Sequence, residues 1–197
     1  MIEEIPSWLY ANYFEIIGTI TSLIYLYLSL RKNILCWLFG IISSSIYIYV
    51  FFQSGFYADM GLNVYYVLIS IYGWIIWAKG NRAKDDKSKL LVSRISLNLA
   101  LVLLLVTAII FVIIAIILTN FTDSQIPYWD AFTTAGSIVA TWMLARKSIE
   151  HWIIWIVVDL VSIGLYIYKD LHTTSVLFLV YTTIAIFGYI KWKKDLK

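Results

Sequence analysis

A chain of 197 residues that is 61% hydrophobic, 17% aromatic and only 14% charged lies far from the usual soluble balance of about 25% charged residues. So much apolar surface cannot be hidden in a water-soluble core of this size, and it arrives in long blocks, which predicts an all-α integral membrane protein. The net charge of +3 comes from short basic clusters between blocks, not from one patch, which argues against a nucleic-acid partner.

The first residues, MIEEIPSW, hold two acids and no basic cluster; no cleaved leader is expected, and targeting falls to the first span. Apolar blocks follow at about 13–30, 34–52, 60–78, 97–118, 131–145, 152–168 and 171–190. A spanning helix needs about 20 residues, so the first and fifth blocks must extend past their acids, Glu15 and Asp130. Transmembrane strands would alternate polar and apolar residues, and these blocks do not. Seven transmembrane helices are predicted. The one cysteine, Cys36 on the second, excludes an internal disulfide and a cysteine metal site; a buried, inert thiol is expected.

Basic residues mark every second connection: Arg31 and Lys32; Lys79, Arg82, Lys84, Lys87, Lys89 and Arg94; Arg146 and Lys147; Lys191, Lys193, Lys194 and Lys197. The positive-inside rule then places the N-terminus outside and the C-terminus in the cytoplasm. The segment Asn81–Lys89, NRAKDDKSK, carries both signs of charge and is predicted to be a solvated cytoplasmic loop.

The chain also matches itself at an offset of 115 residues: Thr19 meets Thr134, Ser22 meets Ser137, Arg31-Lys32 meets Arg146-Lys147, and Trp37 meets Trp152. Further on, Tyr66 meets Tyr181, Gly73 meets Gly188, Trp77 meets Trp192 and Lys79 meets Lys194. Three helices per copy would leave adjacent copies inverted, and the fourth span, almost without polar residues, turns the chain over once more. The expected layout is 3+1+3: a first repeat over 13–80, a loop and linker helix over 81–120, and a second repeat over 128–195. Parallel repeats of this kind are a transporter architecture, with the site between the halves near the midplane.

The sixth block, WIIWIVVDLVSIGLYIY, supplies the first candidate site. Helical spacing puts Trp152, Trp155, Asp159, Ser162 and Tyr166 on one face. A charge at the centre of a span costs ~2.5–3.5 kcal/mol on insertion scales, so Asp159 is expected to face a cavity, a partner or a ligand. The offset pairs this face with Trp37, Gly40, Ser44 and Tyr47. On the third helix Asn63, Tyr66, Ser70, Gly73 and Trp77 form a polar stripe, against Phe178, Tyr181, Ala185, Gly188 and Trp192 on the seventh. Aromatic faces and a carboxylate together suit a flat cation. The alternative reading makes Ser44 and Asn63 interhelical glue and Asp159 the partner of a buried hydroxyl or a helix-packing residue, and Trp8, Trp77, Trp129 and Trp192 are read as interfacial anchors. His151 and His172, at span ends, have no second ligand at metal spacing and are expected to be solvated.

No zinc-protease, nucleotide-loop or Ser-His-Asp pattern occurs, so neither a cofactor nor a metal is expected, and the chain is not read as an enzyme. The stretches RKNILCWLFGIISSSIYIYVFFQSGFYADMGLN and YYVLISIYGWIIW in the first half, and WMLARKSIEHWIIWIVVD and IAIFGYIKW in the second, together resemble the PnuC family of bacterial vitamin transporters over nearly the whole chain. That resemblance implies seven helices in a 3+1+3 arrangement akin to SWEET sugar transporters, nicotinamide riboside as typical substrate, and thiamine or riboflavin for relatives. It implies the family's Trp-x-x-Trp motif at Trp152 and Trp155, further contacts from helices two and three, and Asp159 where the nicotinamide riboside branch is expected to carry an amide. It also implies facilitated diffusion across the bacterial inner membrane, made one-way by a cytoplasmic kinase that phosphorylates the vitamin. The competing readings are a thiamine transporter, a membrane sensor that binds without moving its ligand, and an intramembrane enzyme.

Overall fold

The computed structural model describes residues 4–53, 57–82, 90–168, 170 and 172–196. They form seven α-helices: α1 (Glu4–Leu30), α2 (Leu35–Gln53), α3 (Tyr57–Arg82), α4 (Leu97–Phe121), α5 (Pro127–Ala145), α6 (His151–Tyr168) and α7 (His172–Lys193). Each apolar block of the sequence became one helix. The loop residues 83–89 and the side chains of Trp8 and Glu15, which carried expectations above, lie outside the described residues.

Five of these helices are long and apolar enough to cross a membrane, within α2, α3, α4, α6 and α7. In α1 the apolar part is the shorter Ile16–Leu30. The remaining one, α5, carries Asp130, Thr133, Thr134, Ser137 and Thr141 among its 19 residues. It is also the helix most enclosed by protein, with Ala131, Ala135, Gly136, Val139, Ala140, Met143 and Leu144 all buried. A helix packed by neighbours on two sides meets little lipid, so it need not be apolar all round.

The helices group into two units, Met1–Arg82 and Ala83–Lys197. In the first, α2 packs on both α1 and α3; in the second, α6 packs on α5 and α7, and α5 also carries α4. The fourth helix is therefore more than a connector lying in lipid. Ala115 and Leu118 pack with Ala131, flanked by Phe111 and Ile114, while Leu101, Leu104, Leu105, Ile109 and Val112 stay exposed on its other side. Ser96 caps its start by accepting a hydrogen bond from the Leu99 amide.

The internal repeat is visible in the backbone. The α1–α2 corner closes with the Lys32 amide donating to the Ser29 carbonyl and the Asn33 amide to the Leu28 carbonyl; the α5–α6 corner repeats this with Lys147 to Leu144 and Ser148 to Met143. These are Schellman closures, which need a left-handed residue after the helix. Lys32 (φ 55°) and Lys147 (φ 54°) fill that position.

Among the described residues, only the second corner is strapped by the chain ahead of α4. Ser93 forms a parallel bridge with Ser148, its amide donating to the Lys147 carbonyl and its carbonyl accepting from the Ile149 amide. The Ile95 amide donates to the Glu150 carboxylate, and Lys147 Nζ donates to the Leu90 carbonyl. Val92 and Ile149 are buried with the strap. Lys147, one of the residues that mark a basic connection, is only 7% exposed, because the strap supplies an acceptor, the Leu90 carbonyl, that its ammonium can reach without water.

Candidate functional site

Each unit contains the same aromatic wedge. On α2, Trp37 sits against Gly73 of α3; a Cβ built on that glycine would lie well inside the indole's van der Waals surface. On α6, Trp152 sits against Gly188 of α7, where a Cβ would fall 2.6 Å from the ring. The missing side chains let the indoles pass close to the neighbouring backbone. Each indole also meets a second tryptophan edge-on: Trp37 with Trp77 at 5.4 Å between centroids, Trp152 with Trp192 at 5.7 Å. Such edge-to-face pairs add about 0.5–1.5 kcal/mol beyond area burial.

Three expectations change as a result. Trp77 and Trp192 are not interfacial anchors, since both are 0% exposed; they are the second halves of the wedges. His151 is not solvated either. It is 0% exposed, its Nδ1 lies 2.7 Å from the Ser148 carbonyl, and its ring packs on Trp152 and Trp192. The corner that starts α6 folds the imidazole inward under the wedge. Its counterpart Cys36 is likewise buried, as a free thiol. By contrast Trp129 is half-exposed and His172 lies open at the end of α7, 4.0 Å from Asp170.

Above the wedges lies a set of polar groups without partners. Four buried hydroxyls bond back to their own helix: Thr21 to the Ile17 carbonyl, Ser29 to Leu26, Thr141 to Ser137, Thr182 to Phe178. Ser44 on α2, Ser70 on α3 and Ser162 on α6 are equally buried, as are Ser137 on α5, Ser148 at the α5–α6 corner and Ser175 on α7, and the hydroxyls of all six form no hydrogen bond among the described residues. The Asp159 carboxylate, 3% exposed, is in the same position. In a bilayer a polar group with no internal partner costs free energy, so side chains that decline the carbonyl one turn back are free to meet something else. Ser44 and Asp159 occupy equivalent places in the two repeats.

The remaining candidates divide. Tyr47 is tied to α1: its hydroxyl lies 3.0 Å from Thr19 Oγ1, one turn from the Ser22–Ser43 hydroxyl pair at 2.7 Å. That hydroxyl seam between α1 and α2 was not read from the sequence, though Thr19 and Ser22 stood out in the repeat. Asn63 donates its side-chain amide to the Asp59 carbonyl. Tyr181 packs edge-on to Phe178, which in turn meets Tyr166; Tyr66 lies beside Tyr65. Trp155, one turn from Asp159, is half-buried. Among the described residues no group of three or more His, Cys, Asp or Glu side chains could hold a metal.

Seven helices, five of them long and apolar enough to cross a membrane, with the aromatic wedge duplicated in the two units, fit the class of polytopic membrane transporters, many of which are built from internal repeats. The sequence model of the nicotinamide mononucleotide transporter family matches residues 12–194, and the chain belongs to that family. It is similar to the nicotinamide riboside transporter PnuC of Escherichia coli K12, 24% identical over 92% of this chain and 85% of the relative. It is also similar to the transporter of the same name from Neisseria mucosa, 29% identical over 97% and 74%. The riboflavin/roseoflavin transporter RibM of Streptomyces davaonensis is 24% identical over 90% and 83%. In fold it matches a crystal structure of the vitamin B3 transporter PnuC with a TM-score of 0.74, at 23% identity over 93% of this chain and 81% of that one.

Proposed function

We propose that this chain carries nicotinamide riboside across the bacterial inner membrane by facilitated diffusion, with phosphorylation by a cytoplasmic kinase keeping the vitamin inside. The observation that carries the reading is Asp159: a carboxylate buried within a spanning helix, unpaired among the described residues, with Trp155 one turn away. An isolated charge there is costly, and a cationic pyridinium between an indole and a carboxylate offsets that cost. In this reading Ser44, Asn63 and Tyr66 are candidate substrate contacts of the first unit, and Ser162 and Tyr181 of the second. Tyr47, tied to Thr19, fixes the α1–α2 seam, while Trp37 and Trp152 hold the helices on which the polar groups stand. Relatives named for nicotinamide riboside support the substrate.

The same reading takes the architecture as 3+1+3 and SWEET-like, with parallel three-helix repeats, an external N-terminus and a cytoplasmic C-terminus. The duplicated corners and the basic residues at alternate connections support it. Thiamine is the second substrate reading, favoured by the carboxylate at Asp159, because it too is a cationic aromatic. Calorimetric binding of purified protein to nicotinamide riboside, thiamine and riboflavin, followed by counterflow in proteoliposomes with the proton gradient collapsed, tests both. Saturable riboside binding and surviving counterflow are expected. Binding of thiamine alone would reverse the substrate, binding without luminal accumulation would make the protein a sensor, and strict dependence on the gradient would end the diffusion mechanism.

A further inference from the structure

The two units are alike in their wedges and unlike in the seams beside them. In the first unit α1 meets α2 through hydroxyls: Thr19 Oγ1 lies 3.0 Å from the Tyr47 hydroxyl, and Ser22 Oγ 2.7 Å from Ser43 Oγ. The repeat places Val158 where Ser43 stands and Ser162 where Tyr47 stands, so the equivalent α5–α6 seam has lost that ladder. Its contact is apolar instead. Val158, buried, sets a methyl on the bare backbone of Gly136, where an added Cβ would fall 2.7 Å from it.

The two seams respond differently to movement. Either hydroxyl of each pair can donate, and a Ser or Thr in a helix can also bond back to a carbonyl of the preceding turn. Ser22 already does so, donating to the Gly18 carbonyl at 2.8 Å. Thr19, Ser22 and Ser43 therefore keep a partner when the seam parts, and its opening strands little polar surface in a bilayer. The α5–α6 seam has no second arrangement of this kind. One turn along α5 from Gly136 every neighbour carries a Cβ, as Phe132, Thr133, Val139 and Ala140 do, so a shift drives the Val158 methyl into occupied space. The strap adds backbone bonds at the same corner, from the Ser93 amide to Lys147 and from the Ile149 amide to Ser93. Among the described residues the α1–α2 corner carries no counterpart.

We infer that α1 is a moving part of this transporter: the α1–α2 seam opens and re-forms in each transport cycle, whereas α5 and α6 stay locked as one body. This rests on the transport activity proposed above. Sliding of packed helices is a recurrent form of conformational change, and here the chemistry of one seam permits it while that of its duplicate opposes it.

The test locks each seam in turn with a reversible cross-link in the full-length protein. Ser22→Cys/Ser43→Cys spans the first seam and Gly136→Cys/Val158→Cys the second; Ser93→Cys/Ser148→Cys, across the strap, is another lock on the α5–α6 corner. Native Cys36 stays, because it lies about two turns from position 43 on α2, beyond disulfide reach. Counterflow of nicotinamide riboside in proteoliposomes is measured for each pair oxidised and reduced, with cross-linking scored by mass spectrometry. Oxidising the first pair is expected to abolish counterflow and reduction to restore it, while both second-unit pairs carry riboside equally in either state. Counterflow through the cross-linked first pair overturns the inference, as does a loss in a cross-linked second-unit pair that reduction restores. A single Ser22→Cys probes the seam without a lock: its labelling by a small maleimide should speed up when riboside is added, and unchanged labelling overturns the opening. If Gly136→Cys/Val158→Cys fails to fold, the strap pair decides. If wild type carries no riboside, the transport reading itself is at fault and the moving seam falls with it.

Discussion

Asp159 sets two requirements at once, and they pull in opposite directions. As an unpaired carboxylate within a span it costs the unliganded protein ~2.5–3.5 kcal/mol on insertion scales; as the counter-charge of the proposed site it would strengthen binding of a cation by about 1.5–3 kcal/mol. Asp159→Asn should therefore weaken riboside or thiamine binding by that amount, leave riboflavin untouched, and keep or raise the thermal midpoint of the empty protein. A lowered midpoint with unchanged binding would make Asp159 a packing residue. The glycines of the wedges give a second residue-scale prediction. Gly73→Ala and Gly188→Ala push a methyl into an indole and should each cost about 1–3 kcal/mol, as overpacked cores do. Gly61→Ala and Gly164→Ala meet nothing within 4 Å and should be neutral or stabilise by roughly 0.5–1 kcal/mol; thermal unfolding in detergent separates the pairs. The sequence contained every member of the wedges, since Trp37, Gly73 and Trp77 recur as Trp152, Gly188 and Trp192. What it did not disclose was direction. A tryptophan near a span end reads as an anchor until the glycine opposite is known to lie against an indole.

At the scale of the element, helix positions were legible because lipid enforces continuous apolar runs and leaves turns polar; α4 begins at Leu97, where its apolar block begins. The strap was not legible. Residues 90–96 carry no strong strand pattern, and their bridge to Ser148 depends on a corner more than fifty residues later. His151 escaped for the same reason, because its burial follows from that corner and not from its place at a span end. The strap has a measurable signature. In Lys147→Met the stem still packs, but the bond from Nζ to the Leu90 carbonyl is gone. Hydrogen exchange should speed up at the amides of Ser93 and Ile149 and stay unchanged at the α1–α2 corner, where Asn33 and Cys36 are held by bonds of their own. Equal protection in variant and parent would mean that the backbone bridge alone holds the strap.

For the whole molecule, composition settled the environment and the repeat pointed to the duplicated corners and wedges, yet the grouping of α4 with the second unit came only from packing. Its alanine face could not be told from its leucine face while both were apolar. The exposed face predicts its own sensitivity. Ile109, half-exposed near the middle of α4, is expected to face hydrocarbon, so Ile109→Arg should cost ~2.5–3.5 kcal/mol of insertion and deplete the protein from the membrane fraction. Leu97→Arg, at the helix end, should be tolerated by snorkelling. Normal yield of Ile109→Arg would mean that this face meets protein or water.

The packing of α4 on α5 also bears on how the chain is made. Between Leu99 and Leu118 the only polar residue is Thr107, and its hydroxyl is satisfied by the Leu103 carbonyl, so α4 can leave the translocon alone. The next helix to emerge, α5, has the weakest claim on the bilayer and the greatest need of a neighbour. Synthesised in this order, α4 is already in place when α5 arrives, and its Ala115–Leu118 face offers shelter before α6 exists. Splitting the chain ahead of α5, so that α5–α7 is made without α4, is therefore expected to lower the amount of α5 inserted in the membrane fraction, and co-expressed α4 to restore it.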